Sequence, residues 1–163
     1  MDYATPDHML ARFGERELIA LTDAENNAAI DAARVQLALD DAQAVVDGSI
    51  GVVYRLPLRG CAKPQTAPGA PIEYAAPPQL TRITCDIARY YLYSDLAPEH
   101  EVYRRYTDAK NQLEAIADGR AQLACPWGGS PGEPVGSDAQ SGEKVRYQFS
   151  ARAITDDVAG SYK

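Results

Sequence analysis

The stretch PQLTRITCDIARYYLY at residues 78–93, followed after a short break by EHEVYRRYTDAKNQLEAIADG at residues 99–119, decides how this chain folds. In the first stretch Leu80, Ile83, Ile87 and Tyr91 recur at helical spacing, and in the second Val102, Tyr106, Ala109, Leu113 and Ile116 do the same. Each stretch is expected to be a helix with one buried face. The break, residues 94–98, ends in Pro98, a residue that starts helices well because the N–H it lacks would have no partner there. Two amphipathic helices joined so closely are expected to lie antiparallel.

Moving outward from this pair, the longest periodic segment runs from about Asn27 to Gly51. It places Ile30, Val35, Leu39, Ala42, Val46 and Ile50 on one face and Asp40, Asp41, Gln43 and Asp47 on the other, and is expected to be the central helix. Thr5-Pro6-Asp7 has the form of a helix start, Thr5 capping and Pro6 already at a helical φ. A first short helix through Met9, Leu10 and Phe13 should end at Gly14, with a second around Glu15 to Leu21 and a loop from Thr22 to Asn27. Val52 to Leu58, with β-branched and aromatic residues and then Pro57, reads as extended. Residues Gly60 to Pro78 are rich in Pro, Ala and Gly and are expected to form a protruding loop or hairpin arm. Ala121 to Ala124 is a candidate short strand, and Cys125 to Gly142 has the composition of a linker. Beyond it Val145, Tyr147 and Phe149 alternate with polar residues, the period of a strand that must pair with its own chain or another protein. The expected fold is mainly α: a small antiparallel helical bundle with an extended loop or hairpin arm and a C-terminal tail containing a β-strand. Its body covers residues 1–124, with the arm at 55–78, and residues 125–163 form a linker and assembly tail.

A chain of 163 residues supplies about one domain. Its net charge of −7 and pI near 4.8 argue against a surface built to grip phosphates. No apolar run approaches the ~20 residues needed to span a bilayer, and the first residues lack the basic and apolar regions of a secretion signal. The expectation is a soluble protein made in the cytoplasm, with no membrane partner. Cys61, Cys85 and Cys125 are odd in number and widely spaced, so free thiols are expected, with Cys85 in the core. His8 and His100 have no partner at metal-ligand spacing and read as surface side chains.

Chemistry finds little support. Asp23 to Asp31 weakly resembles a calcium loop, but Ala28 replaces the turn glycine and Arg34 stands where a bidentate Glu belongs, so a polar turn is the better reading. Asp40-Asp41 and Asp156-Asp157 are adjacent, and neighbours on a helix point in different directions. Gly128 to Gly132 contains Pro131 and precedes neither a helix pattern nor a basic residue, so it is no phosphate loop. No catalytic residue, metal ligand or cofactor-binding residue is expected, and no cofactor. Contact with other polypeptides fits better, because Tyr and Arg combine large contact area with directional hydrogen bonds. On the first signature helix Arg82, Asp86, Arg89 and Tyr93 fall opposite the core stripe, with Tyr90 flanking it and Arg82 paired to Asp86. Tyr103 and Arg105 extend that surface on the next helix. For any one of them an ordinary solvated face is an equal alternative. The contact set is completed by Trp127 and by the strand residues Val145, Tyr147 and Phe149.

Several blocks, in order, carry a family resemblance over about residues 3–124: Tyr3-Ala-Thr-Pro6, Arg12-Phe-Gly-Glu15 with Glu17-Leu18 and Leu21-Thr-Asp23, Tyr54-Arg-Leu-Pro-Leu58, Pro77-Pro78 with Cys85-Asp-Ile-Ala-Arg-Tyr90, and Arg104-Arg-Tyr106 through Ile116-Ala-Asp-Gly119. At these residues the chain resembles the Mu-like phage neck proteins, which are similar to head-tail connector or head-completion proteins of long-tailed phages. The Cys61 to Pro78 arm and the tail after Cys125 match no pattern of that family. The resemblance implies a structural, non-enzymatic adaptor that assembles as a ring of about twelve copies between the portal protein and a tail-side neck or tail-terminator protein. DNA would pass through the lumen without sequence-specific binding. The place implied is the head-tail neck of the virion, reached from the host cytoplasm during assembly. A tail-completion protein one layer further down is the alternative, and an enzyme of phage morphogenesis a lesser one.

Overall fold

Helix α4, Pro78–Leu92, is the element on which the others converge. In the computed structural model, which describes residues 1–23, 25–26, 28–93 and 100–136, α4 packs against α1 (Pro6–Phe13), α3 (Ala32–Ile50) and α5 (Glu101–Ala117). Helix α2 (Glu15–Thr22) packs on α1, and α3 also meets α5. The fold is mainly α, as expected: among the described residues strand is confined to β1 (Cys61–Ala62) and β2 (Tyr74–Ala75).

The apolar stripe of α4 is buried at Leu80, Ile83 and Ile87, but so are Thr81, Thr84, Cys85, Asp86, Ala88 and Leu92. The expected solvated face is therefore corrected at Asp86, which is 5% exposed. Small side chains at Thr81, Thr84, Cys85 and Ala88 let neighbouring helices approach where a one-stripe pattern places solvent. Together with α3, which also packs against α1 and α5, this helix forms the centre of the bundle. α3 buries five of the six residues expected on its apolar face, the sixth, Ile30, lying ahead of the helix and partly buried.

Caps fix where the helices begin. Thr5 Oγ1 accepts from the His8 N–H while His8 Nδ1 accepts from the Thr5 N–H, so two otherwise unpaired donors at the start of α1 are satisfied reciprocally. Gly14 ends α1 at φ 84°, a left-handed conformation that suits glycine, and starts α2. Asp31 accepts from the N–H groups of Ala33 and Arg34, which starts α3 at Ala32, later than its periodicity suggests. Asp23, in the acidic loop, accepts from the N–H groups of Asn26 and Ala28. His100 Nδ1 accepts from the Val102 N–H at the start of α5. Both histidines lie at the surface.

The chain that follows α3 is irregular. Residues 51–53 turn directly out of α3, and of the segment expected to be extended only Tyr54 forms a bridge, to Pro134. The Arg55 N–H donates to Glu133 O at 2.8 Å and the Val135 N–H to Val53 O at 2.7 Å. The Leu56–Pro57 peptide is cis. Residues 121–124 are not the expected strand, because their donors go elsewhere: Ala121 N–H to Ala115 O, and Leu123 N–H to the Tyr54 hydroxyl. The arm is a hairpin, with Cys61 opposite Ala75 and Ala62 opposite Tyr74, and an exposed tip.

The thiol expectation is corrected at two of three cysteines. Cys61 and Cys125 form a disulfide across 64 residues, with Cα atoms 5.3 Å apart, whereas Cys85 is free and buried. Sequence spacing carries no information about this pair, because the hairpin and the stretch after α5 meet only in three dimensions. Residues 125–136, linker-like in composition, are held against the arm base by this bond and by the Gly60 N–H donating to Pro131 O. The expected strand at 144–152 lies outside the described residues.

Candidate functional site

The aromatic residues that end α4 and begin α5 form one cluster. Tyr90 stacks on Tyr106 with ring centroids 4.0 Å apart and planes 13° from parallel. Tyr103 stands edge-on to Tyr90 at 6.0 Å, and Tyr91 is tilted against both Tyr90 and Tyr106. Lys110 places its ammonium 5.7 Å from the Tyr106 ring centroid, within cation–π range. Such pairs hold the rings in fixed positions while leaving their outer edges wet. Tyr91 is 38% exposed, yet its hydroxyl is pushed to a higher pKa, first by desolvation and then by Tyr106 and the Asp41 carboxylate of α3. One turn before Asp41 on α3, Leu37 is an exposed aliphatic side chain, 62% exposed.

A second set of side chains ties the helices together. The Arg89 Nε donates to Glu17 Oε1 at 2.7 Å, and the Tyr93 hydroxyl donates to the same oxygen at 3.2 Å. The Arg89 guanidinium lies over the Phe13 ring at 4.6 Å. Desolvation, followed by the charge of Glu17, raises the Tyr93 pKa. One turn earlier, Asp86 faces Arg82 and Arg105 at 3.7 and 3.9 Å, and Arg105 also faces Glu101 at 3.7 Å. The Arg82 guanidinium donates to Gln112 Oε1. Burial pushes the Asp86 pKa upward although Arg105, Arg82, Arg12 and Arg89 all pull it down. Beside it opens a cavity of about 360 Å³ lined by Arg82, Asp86, Arg105, Asp108, Asn111 and Gln112.

The expected contact residues thus fall into different settings. Tyr90 and Tyr103 belong to the aromatic cluster, whereas Arg89 and Tyr93 are held by Glu17 of α2. Arg82 and Arg105 flank Asp86. Trp127 is 49% exposed on the turn after Cys125. Val145, Tyr147 and Phe149 lie outside the described residues. Sequence reasoning assigned Tyr91 and Tyr106 to the core and passed over Leu37. The signal for the two tyrosines was present in the run Tyr90-Tyr91 and in the three-residue spacing of Tyr103 and Tyr106, which puts two rings on one helix face. Among the described residues no group of three or more His, Cys, Asp or Glu is placed to hold a metal ion, and no helix is long and apolar enough to cross a membrane.

Residues 3–140 match the family described as "Bacteriophage Mu, Gp36". The match runs past residue 124 and takes in the stretch that packs on the arm. The chain is similar to the Mu-like prophage FluMu protein gp36 of Haemophilus influenzae, at 29% identity over 121 residues and 74% of each chain. It is similar to the same extent, 29% over 121 residues and 74% of each chain, to gene product J of Escherichia phage Mu.

Proposed function

The chain belongs to the bacteriophage Mu Gp36 family, and from that membership we propose that it is a structural protein of a Mu-like phage particle, acting as a neck adaptor between head and tail. On this reading copies of the chain form a ring, one side of which meets the portal and the other the tail-side neck or tail-terminator protein. The observation that carries it is the cluster of Tyr90, Tyr91, Tyr103 and Tyr106, with exposed Leu37 on the neighbouring helix α3. Rigid tyrosines with one wet edge, together with an uncovered aliphatic residue, are what subunit contacts are made from. Net charge supports the same reading. Subunits of charge −7 would give a lumen that repels DNA and lets it slide.

The test is a phage lacking this gene. It is expected to accumulate DNA-filled heads and finished tails that do not join, both visible by electron microscopy, and supply of the chain in trans should restore joining. Normal particles from the deleted phage would overturn the proposal. Imaging of intact particles carrying a tagged chain assigns the layer: label at the portal supports the adaptor, and label at the tail top transfers the role to tail completion.

A further inference from the structure

The Cys61–Cys125 bond stands apart from the bundle. Neither cysteine belongs to the main hydrophobic core, although Cys61 is fully buried and Cys125 only 9% exposed. What the bond joins is the base of the arm and the stretch 125–136, two pieces of irregular backbone. They are also held together without it. The Gly60 N–H donates to Pro131 O, the Arg55 N–H to Glu133 O, the Val135 N–H to Val53 O and the Leu123 N–H to the Tyr54 hydroxyl. Two thiols at these positions would therefore stay close, and a pair held close has the high effective concentration that favours closure.

We propose that Cys61 and Cys125 form a reversible covalent latch, a dithiol in the newly made chain that closes once the protein leaves the reducing interior of the producing cell. The latch rests on the particle-component reading above, since such a protein is made inside a cell, where thiols are kept reduced, and works outside it. Closure is thiol–disulfide exchange with a low-molecular-weight disulfide such as oxidised glutathione. One thiolate of the pair attacks it, forming a mixed disulfide and releasing one glutathione thiolate. The second thiolate then displaces the other glutathione, so two protons leave the protein thiols and two reduced glutathiones form. The third cysteine does not compete. Cys85 is buried in α4, where desolvation pushes its thiol up to about 11, only partly countered by Arg12. Open, the latch leaves the arm and residues 125–136 joined by hydrogen bonds and by the packing of Gly132 on Leu58, able to part while neighbouring proteins seat. Closed, it fixes the arm hairpin against the turn that carries Trp127.

Two measurements on the full-length protein test this. Thiols trapped by rapid alkylation of producing cells under denaturing conditions, which also exposes Cys85, then counted by mass spectrometry, should number three per chain, against one in protein exposed to oxidised glutathione. A chain already disulfide-bonded in the cell overturns the latch. In purified oxidised protein, mild reductant should speed amide exchange at residues 58–62 and 125–135 by roughly ten-fold or more, leave the helical circular dichroism of the bundle in place, and be reversed by oxidised glutathione. The pair Cys61→Ser and Cys125→Ser should reproduce the reduced pattern permanently. Loss of the helical signal itself on reduction would make the bond an ordinary structural tie and overturn the proposal. Neither measurement uses particles, so a failure of the neck reading shows separately, in the deletion phage.

Discussion

Asp86 is a carboxylate 5% exposed, ringed by Arg12, Arg82, Arg89 and Arg105, with its pKa still raised. Desolvation thus outweighs the attraction of the guanidinium groups. With a folded pKa above the unfolded value of ~3.9, the native state binds the extra proton between those two values, so stability falls as pH rises through that window. Asp86→Asn should therefore be at least as stable as wild type at neutral pH, with the difference shrinking towards pH ~4, as read by thermal melts across pH. A variant less stable than wild type at neutral pH would contradict this. Arg89 behaves in the opposite way. Arg89→Ala removes the partner of a part-buried Glu17 and of the Phe13 ring, and should cost about 1–3 kcal/mol in urea denaturation. The sequence shows Arg82, Asp86 and Arg89 at charged-face spacing and cannot show that two of these side chains are enclosed, because enclosure is set by α1, α2 and α5.

Among elements, α4 separates what patterning reveals from what it hides. Its apolar stripe and those of α3 and α5 were legible, since an amphipathic period reports the face that meets the core. The burial of α4 beyond that stripe was not, because Thr81, Thr84, Cys85 and Ala88 read as neutral in any hydropathy pattern and become buried only when helices close over them. Ile87→Ala, at a fully buried position, should cost about 2–5 kcal/mol in denaturant melts. Thr5→Ala should cost about 1 kcal/mol through the lost cap of α1. The irregular segments were the least legible. Residues 52–58 and 121–136 satisfy one another through pairings more than 60 residues apart in sequence, such as Tyr54 with Leu123 at a separation of 69. No local signal encodes a partner at that distance.

For the whole molecule, the family and the mainly helical fold were legible from ordered blocks such as Tyr54 to Leu58 and Cys85 to Tyr90, because each supplies a packed position: Tyr54, Leu58, Cys85 and Ile87 are all buried. The aromatic cluster was only half legible, since Tyr90 and Tyr103 were singled out as proposed contacts while Tyr91, and Leu37 on α3, were not. Two variants test that surface apart from stability. Leu37→Asp and Tyr91→Ala alter side chains that are 62% and 38% exposed, and should leave the thermal midpoint within a few degrees of wild type while reducing incorporation into particles in complementation assays. Normal incorporation of both would remove the tyrosine cluster from the contact surface.

Cys85 also makes the molecule its own clock. Once Cys61 and Cys125 are bonded, one sulfhydryl is left, and it sits on α4 with no exposed surface. A bulky alkylating reagent reaches it only when the helices separate, so its labelling rate counts how often the bundle opens. Substitutions at distant positions can then be ranked by a single chemical modification, under native conditions and without any probe being introduced.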